Sequence, residues 1–87
     1  MRVQNIVGRS GNAVRNQFII NMDNGDVVFQ SYRTIIAKKT ANGVLLDSDS
    51  WDYSVTTGKY RNQFLGESKA ETEKKIKSGE YKLANLN

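Results

Sequence analysis

Histidine, cysteine and proline are missing altogether from this chain of 87 residues, and each absence removes a class of function. Without imidazole, no side chain titrates near neutrality at its ordinary pKa. Without cysteine there is no thiolate nucleophile, no soft metal ligand, and no disulfide or zinc staple for a small fold. Catalysis would have to rest on Asp, Glu, Lys, Tyr, Ser or Thr. No apolar run approaches the roughly 18 residues of a membrane helix, and the opening Met1-Arg2-Val3-Gln4-Asn5 lacks the apolar centre of a signal peptide. These absences point to a soluble, intracellular, non-enzymatic domain with no catalytic residues, cofactor, metal or membrane partner.

What is present suffices for one small domain spanning 1–87. The apolar fraction of 38% and the charged fraction of 25% suit a globular chain rather than a disordered one. Its core must be small, because a chain of this length buries only somewhat more than roughly 60% of its unfolded surface. Self-association is one way to add burial, which keeps a homodimer open. The net charge is +4 and unevenly spread: residues 1–46 carry six bases and two acids, 47–58 three acids and no base, and 59–87 seven bases and four acids. A surplus of this sign suits solubility and anionic partners alike.

The first half reads as strands, 1–47, and the second mainly as helices, 55–78, giving an α+β domain. Val3 to Val7 opens the sheet and Gly8-Arg9-Ser10-Gly11-Asn12 forms a loop. Val14, Asn16, Phe18, Ile20 and Met22 alternate onto one face of the next strand. Asn24-Gly25 and Asn42-Gly43 then suit type I′ turns, so two hairpins follow, returning through Val27 to Gln30 and Val44 to Leu46. About five antiparallel strands result.

After Thr56 the spacing becomes helical. Tyr60 and Phe64 lie four apart, and Gly66 suits a left-handed cap. A second helix is predicted over 69–78, with Ser68 and Glu71 as a capping box, Glu71–Lys75 and Glu73–Lys77 as i,i+4 pairs, and Gly79 at its end. Leu65, Thr72 and Ile76 share its inward line. Residues 80–86 form a terminal strand or a docking tail.

Two features invite chemistry and resist it. Asp47-Ser48-Asp49-Ser50-Trp51-Asp52 spaces carboxylates two apart as a calcium loop does, yet has Asp52 and Lys59 where such a loop needs Gly and Glu. It reads as a solvated loop whose Asp and Ser cap the next segment. Gly8-Arg9-Ser10-Gly11 lacks the spacing and the Lys-Ser/Thr of a phosphate cradle. A tetrapeptide also recurs, Arg15-Asn16-Gln17-Phe18 and Arg61-Asn62-Gln63-Phe64, without matching flanks or a continuing period. Each Phe should be core and each Arg surface.

The candidate binding residues are aromatic and basic: Tyr32, Arg33, Trp51, Tyr53, Lys59, Tyr60 and Arg61. Rings that stack on bases, with cations along a backbone, suit single-stranded nucleic acid. Trp, Tyr and Arg are equally the anchors of protein interfaces. Trp51 reads as a core or interface anchor; Tyr32 and Tyr53, flanked by polar residues, read as exposed contacts.

The phrases Ser31-Tyr32-Arg33-Thr34-Ile35-Ile36-Ala37, Trp51-Asp52-Tyr53-Ser54 with Thr56-Thr57, Lys59-Tyr60-Arg61-Asn62-Gln63-Phe64-Leu65, and Lys75-Ile76-Lys77-Ser78-Gly79-Glu80-Tyr81 with Leu83, Leu86 and Asn87 together resemble short uncharacterised proteins encoded by tailed bacteriophages. That resemblance implies a phage origin and action in the host cytoplasm by stoichiometric binding of a host enzyme or defence complex. It carries no binding residues across. A small basic nucleic-acid-binding protein is the alternative, and a virion component a third class.

Overall fold

A computed structural model describes all 87 residues and orders them as strands β1 (Arg2–Val7), β2 (Ala13–Asn21), β3 (Val27–Ser31), β4 (Thr34–Thr40) and β5 (Gly43–Asp47), helices α1 (Val55–Leu65) and α2 (Lys69–Ser78), and strand β6 (Tyr81–Ala84). The six strands form one sheet in chain order. Its first five are an antiparallel meander, and β6 joins β5 in parallel, Val44 opposite Tyr81 and Asp47 opposite Ala84. Parallel neighbours need a long crossover, and the two helices supply it. The α+β class, the sheet and the two helices are those expected from the sequence. The tail, left open between strand and docking segment, is a strand at 81–84.

Both Asn-Gly turns differ from the expected type. A type I′ turn needs positive φ at both central residues, yet only the glycines have it, Gly25 at 95° and Gly43 at 129°. The Gly25 N–H donates to the Met22 carbonyl at 3.1 Å, and Asn24 Oδ1 accepts from the Asp26 N–H at 3.0 Å. Each Asn-Gly therefore sits one position later, with Gly at positive φ; Asn24 closes a side-chain turn at the first, and at the second Thr40 Oγ1 does so by accepting from the Asn42 N–H at 3.1 Å.

The alternation assigned to the second strand also breaks. Asn16 lies at φ 64°, and the β1–β2 register jumps from Asn5–Phe18 to Val7–Ala13. This bulge swaps the faces beyond it. Gln17 and Ile19 turn toward the helices with Ser31 and Phe29, whereas Phe18 and Ile20 lie on the far face. A second bulge at Ile36 sets that side chain and Ala37 both into the core.

Phe29, Ile36, Ala37 and Leu46 are fully buried, with Ile6 and Tyr81 beside them. Phe64 of α1 stacks on Phe29, ring centres 5.7 Å apart. Ser54 caps α1 by accepting from the Thr57 N–H at 3.1 Å, and Gly66 ends it at φ 71°. The Ser68–Glu71 capping box forms at α2, Thr72 is buried beneath it, and Leu65 and Ile76 pack on the core. Lys75 does not pair with Glu71, which the box occupies. It donates to Glu67 at 2.7 Å, and Glu67 also accepts from Thr72 Oγ1 at 2.6 Å and Tyr81 OH at 2.8 Å.

The chain end closes the same side. Asp47, buried rather than solvated, accepts from the Leu86 N–H at 2.9 Å. The Asn87 amide bonds both the N–H and the C=O of Ile35, at 2.7 and 3.0 Å. Burial pushes the Asp47 carboxyl up, and the donors around it, led by the Leu86 N–H, bring it below the ordinary carboxylate value.

Candidate binding cleft

The bulge and the 8–12 loop throw the start of β2 outward, and α1 runs opposite. Between them lies a cleft of about 1390 Å³, walled by Gly8, Arg9, Ser10 and Asn12 on one side and by the segment from Asp52 to Gln63 on the other. Glu67 and Lys69 complete its far end.

Its floor is an ion network centred on Arg61. Thr57 and Arg61 are one turn apart on α1, so both face the sheet. Thr57 meets Ser31 at 3.1 Å between hydroxyls. The Arg61 side chain is 1% exposed; Nη1 donates to the Trp51 carbonyl at 2.7 Å and to Asp52 Oδ1 at 3.1 Å, and Nη2 to Asn62 Oδ1 at 2.9 Å. The guanidinium lies 5.2 Å from the Trp51 ring centre. Gly58 covers it: a Cβ there would come 3.6 Å from Nη2, ordinary contact distance.

Asp52 is shared, its other oxygen accepting from Lys69 at 2.7 Å. Burial raises its carboxyl, and hydrogen bonds and charge from Lys69 and Arg61 outweigh that, holding it below the usual range. Lys69 is raised in return by the hydrogen bond to Asp52. Glu67 follows the same rule: burial lifts it, and Lys75, Thr72 and Tyr81 lower it further than burial raises it. Both cleft carboxylates are thus ionised and engaged. No three of the chain's carboxylates converge as metal ligands do.

Of the seven sequence candidates, the structure brings Tyr53, Lys59, Tyr60 and Arg61 to this cleft and sets Trp51 under Arg61. Arg61 was expected at the surface and is buried, because its two terminal nitrogens satisfy a loop carbonyl, a carboxylate and an amide together, while Nε is left without a partner. Trp51 and Tyr60 are half-buried against the core. Tyr53 is 53% exposed, and Lys59 is exposed.

Tyr32 and Arg33 stand apart, at the two-residue turn between β3 and β4. Tyr32 holds φ 57° while 53% exposed, a left-handed conformation that is strained for a tyrosine.

Arg9, Asp52, Glu67 and Lys69 border the cleft without having been singled out as binding residues. No sequence signal joins the 8–12 loop to a helix some fifty residues away, since the bulge at Asn16 brings them together. The repeated tetrapeptide has unlike fates. Arg15 is exposed and Arg61 buried; Phe64 packs on the core, whereas Phe18 is half-buried on the far face; and Gln17 is buried with no partner for its amide.

Among known proteins, no curated protein and no solved structure matches this chain. A family of unknown function, DUF8033, matches residues 1–80. The chain belongs to that family.

Proposed function

We propose that this domain is a non-enzymatic binder of a host protein, encoded by a bacteriophage and acting in the host cytoplasm, with the rim of the cleft as its contact surface. One observation carries the reading. The carboxylates of the cleft are consumed in ion pairs and held below their usual pKa, while the residues at its rim, Tyr53, Lys59 and Arg9, remain free to contact a partner. A general acid or base works best near the operating pH, and Asp52 and Glu67 are shifted the other way. An exposed tyrosine and exposed cations around an ion-paired floor have instead the composition of an interface anchor. The resemblance to small phage proteins supports the origin and the host target.

Nucleic acid is the second reading. Arg9 and Lys59 are exposed cations outside every ion pair of the structure, next to Tyr53 and Tyr60, as backbone contacts beside stacking rings would be.

Affinity capture from bacterial lysate with the tagged protein, with and without nuclease and at low and high salt, separates the two. A single stoichiometric protein that survives nuclease and salt, and is lost with Tyr53→Ala plus Lys59→Glu, is the expected result. Recovery of nuclease-sensitive, salt-labile material alone would transfer the cleft to nucleic acid, whose affinity falls steeply as counterions return.

A further inference from the structure

The first edge of the sheet is bare, and the register shows which of its main-chain groups are free. The Met22 N–H donates to the Asp26 carbonyl at 2.9 Å, so Met22 addresses β3. Antiparallel strands alternate the direction of their peptide groups residue by residue, which turns Ile20 toward β3 as well, and Ile19 and Asn21 toward β1. Their partners there, Gln4 and Arg2, are paired. Val3 and Asn5 therefore point N–H and C=O away from the sheet.

A hollow of about 400 Å³ lies beside this edge on the helix side. α1 packs over β3 and α2 over β6, and at the β1 end Ile6 is buried in the core and Gln63 donates to the Val7 carbonyl at 2.8 Å, while Arg2 to Asn5 stay exposed. Ile6, Ile19 and Phe64 line the hollow. Lys39 stands at its rim, donating to the Phe64 carbonyl at 2.8 Å with its ammonium 4.4 Å from the ring centre. Gln4 and Ile6 share the hollow's face of the sheet, so a strand added outside β1 would place alternate side chains over it.

We propose that β1 captures an extended, acid-bearing segment of a partner protein as a seventh strand, with an apolar side chain of that segment seated against Ile6, Ile19 and Phe64. The inference rests on the protein-binding reading above and specifies the chemistry of the partner. Main-chain pairing supplies affinity and the hollow selects the side chain. Arg2 on β1 and Lys39, on β4 at the hollow's far rim, favour a segment with Asp or Glu beside its apolar residue. A second copy fits poorly. Antiparallel pairing through Val3 and Asn5 centres on Gln4 and sets Arg2 of one copy opposite Ile6 of the other, so a guanidinium would meet the hollow and two chains of charge +4 would be drawn together.

Selection from a random dodecapeptide display library on the immobilised full chain tests the proposal. The expected winners alternate apolar and polar residues, carry Asp or Glu, and shift the amide signals of Val3, Asn5 and Gln63. Val3→Pro removes one outward donor at an edge position where proline is tolerated, and should weaken a selected peptide about tenfold with little change in melting. The signal map on the unaltered chain decides the matter should that variant melt early. Absence of enriched peptides, equal affinity for Val3→Pro in a folded variant, or self-association through β1 would overturn the proposal. Peptides that move Tyr53 and Lys59 instead would remove the edge site while leaving the protein-binding reading in place.

Discussion

The two edges of the sheet are finished in opposite ways. At β6 the strand has four residues, α2 backs it, Glu67 gathers Lys75, Thr72 and Tyr81, and Asp47 and Ile35 hold Leu86 and Asn87. At β1 the strand has six residues, of which only Ile6 is buried, and the cleft and the hollow lie on either side of the point where α1 meets it. Natural sheets commonly protect their edges with short strands or a covering element, and this chain combines the two at the β6 edge only. Structural polar groups tie down the sealed end and the floor of the cleft, and uncommitted main-chain donors line the open β1 edge. A small core that cannot expand has this division available as a way of keeping a surface free for a partner.

Core truncation gives the sharpest contrast. Leu46→Ala, at a fully buried site on β5, should cost roughly 3 kcal/mol, whereas Val3→Ala at a 54% exposed site on β1 should stay within about 0.5 kcal/mol. At about 4–8 °C per kcal/mol for a domain of this size, thermal melts resolve the two easily. Similar losses would mean that the open edge is part of the structural core after all.

Removing Arg61 comes next. Arg61→Ala leaves Asp52 and the Trp51 carbonyl without their buried donor, and the expected cost is roughly 2–3 kcal/mol, below the range for a fully buried pair because Asp52 is partly exposed. Arg61→Lys should restore little of it, since one ammonium cannot reach Trp51, Asp52 and Asn62 in the same fork geometry. Urea unfolding monitored by Trp51 fluorescence reads both.

Acid provides a graded version. Asp47, Asp52 and Glu67 all titrate below their ordinary values in the fold. A depressed folded pKa gives stability that is fully present above the unfolded value, about 4, and lost as pH falls through the folded one. Urea midpoints should therefore hold steady down to about pH 5 and then fall. Asp47→Asn and Glu67→Gln should each flatten that fall, and Asp47→Asn, which lies outside the cleft, should leave partner affinity at neutral pH unchanged.

The smallest effect has the opposite sign. Gln17 is buried between the sheet and α1 with neither amide atom paired. Gln17→Met keeps most of the volume, removes the unpaired groups, and should raise stability by about 1 kcal/mol in the same melts. A loss instead would show that Gln17 has a hydrogen-bonding partner in solution.

Local signals in the sequence carried the fold far. The Ser68–Glu71 box and Gly79 fixed α2 at its observed bounds, and Gly66 marked the end of α1, because caps are decided by neighbours in the chain. What local signals could not hold was side-chain direction after Asn16. One left-handed residue reversed the face of Phe18 and Ile20 and buried a glutamine in place of a phenylalanine. The cleft was half legible for the same reason. Tyr53, Lys59 and Tyr60 announced themselves by type and clustering, whereas Arg9 arrives only through the bulge. Arg61 looked like a contact residue, and its burial depends on Trp51 and Asp52 folding back over α1.

Residue-resolved amide exchange, on the free chain and with its captured partner, tests most directly the claim that the sealed end supports the fold and the open end does the binding. In the free chain, Val3 and Asn5 should exchange rapidly and Gln4 and the β5–β6 amides slowly; the partner should then slow Val3, Asn5 and the segment from Tyr53 to Gln63. Slowing confined to α2 and β6, with Val3 and Asn5 unchanged, would contradict it.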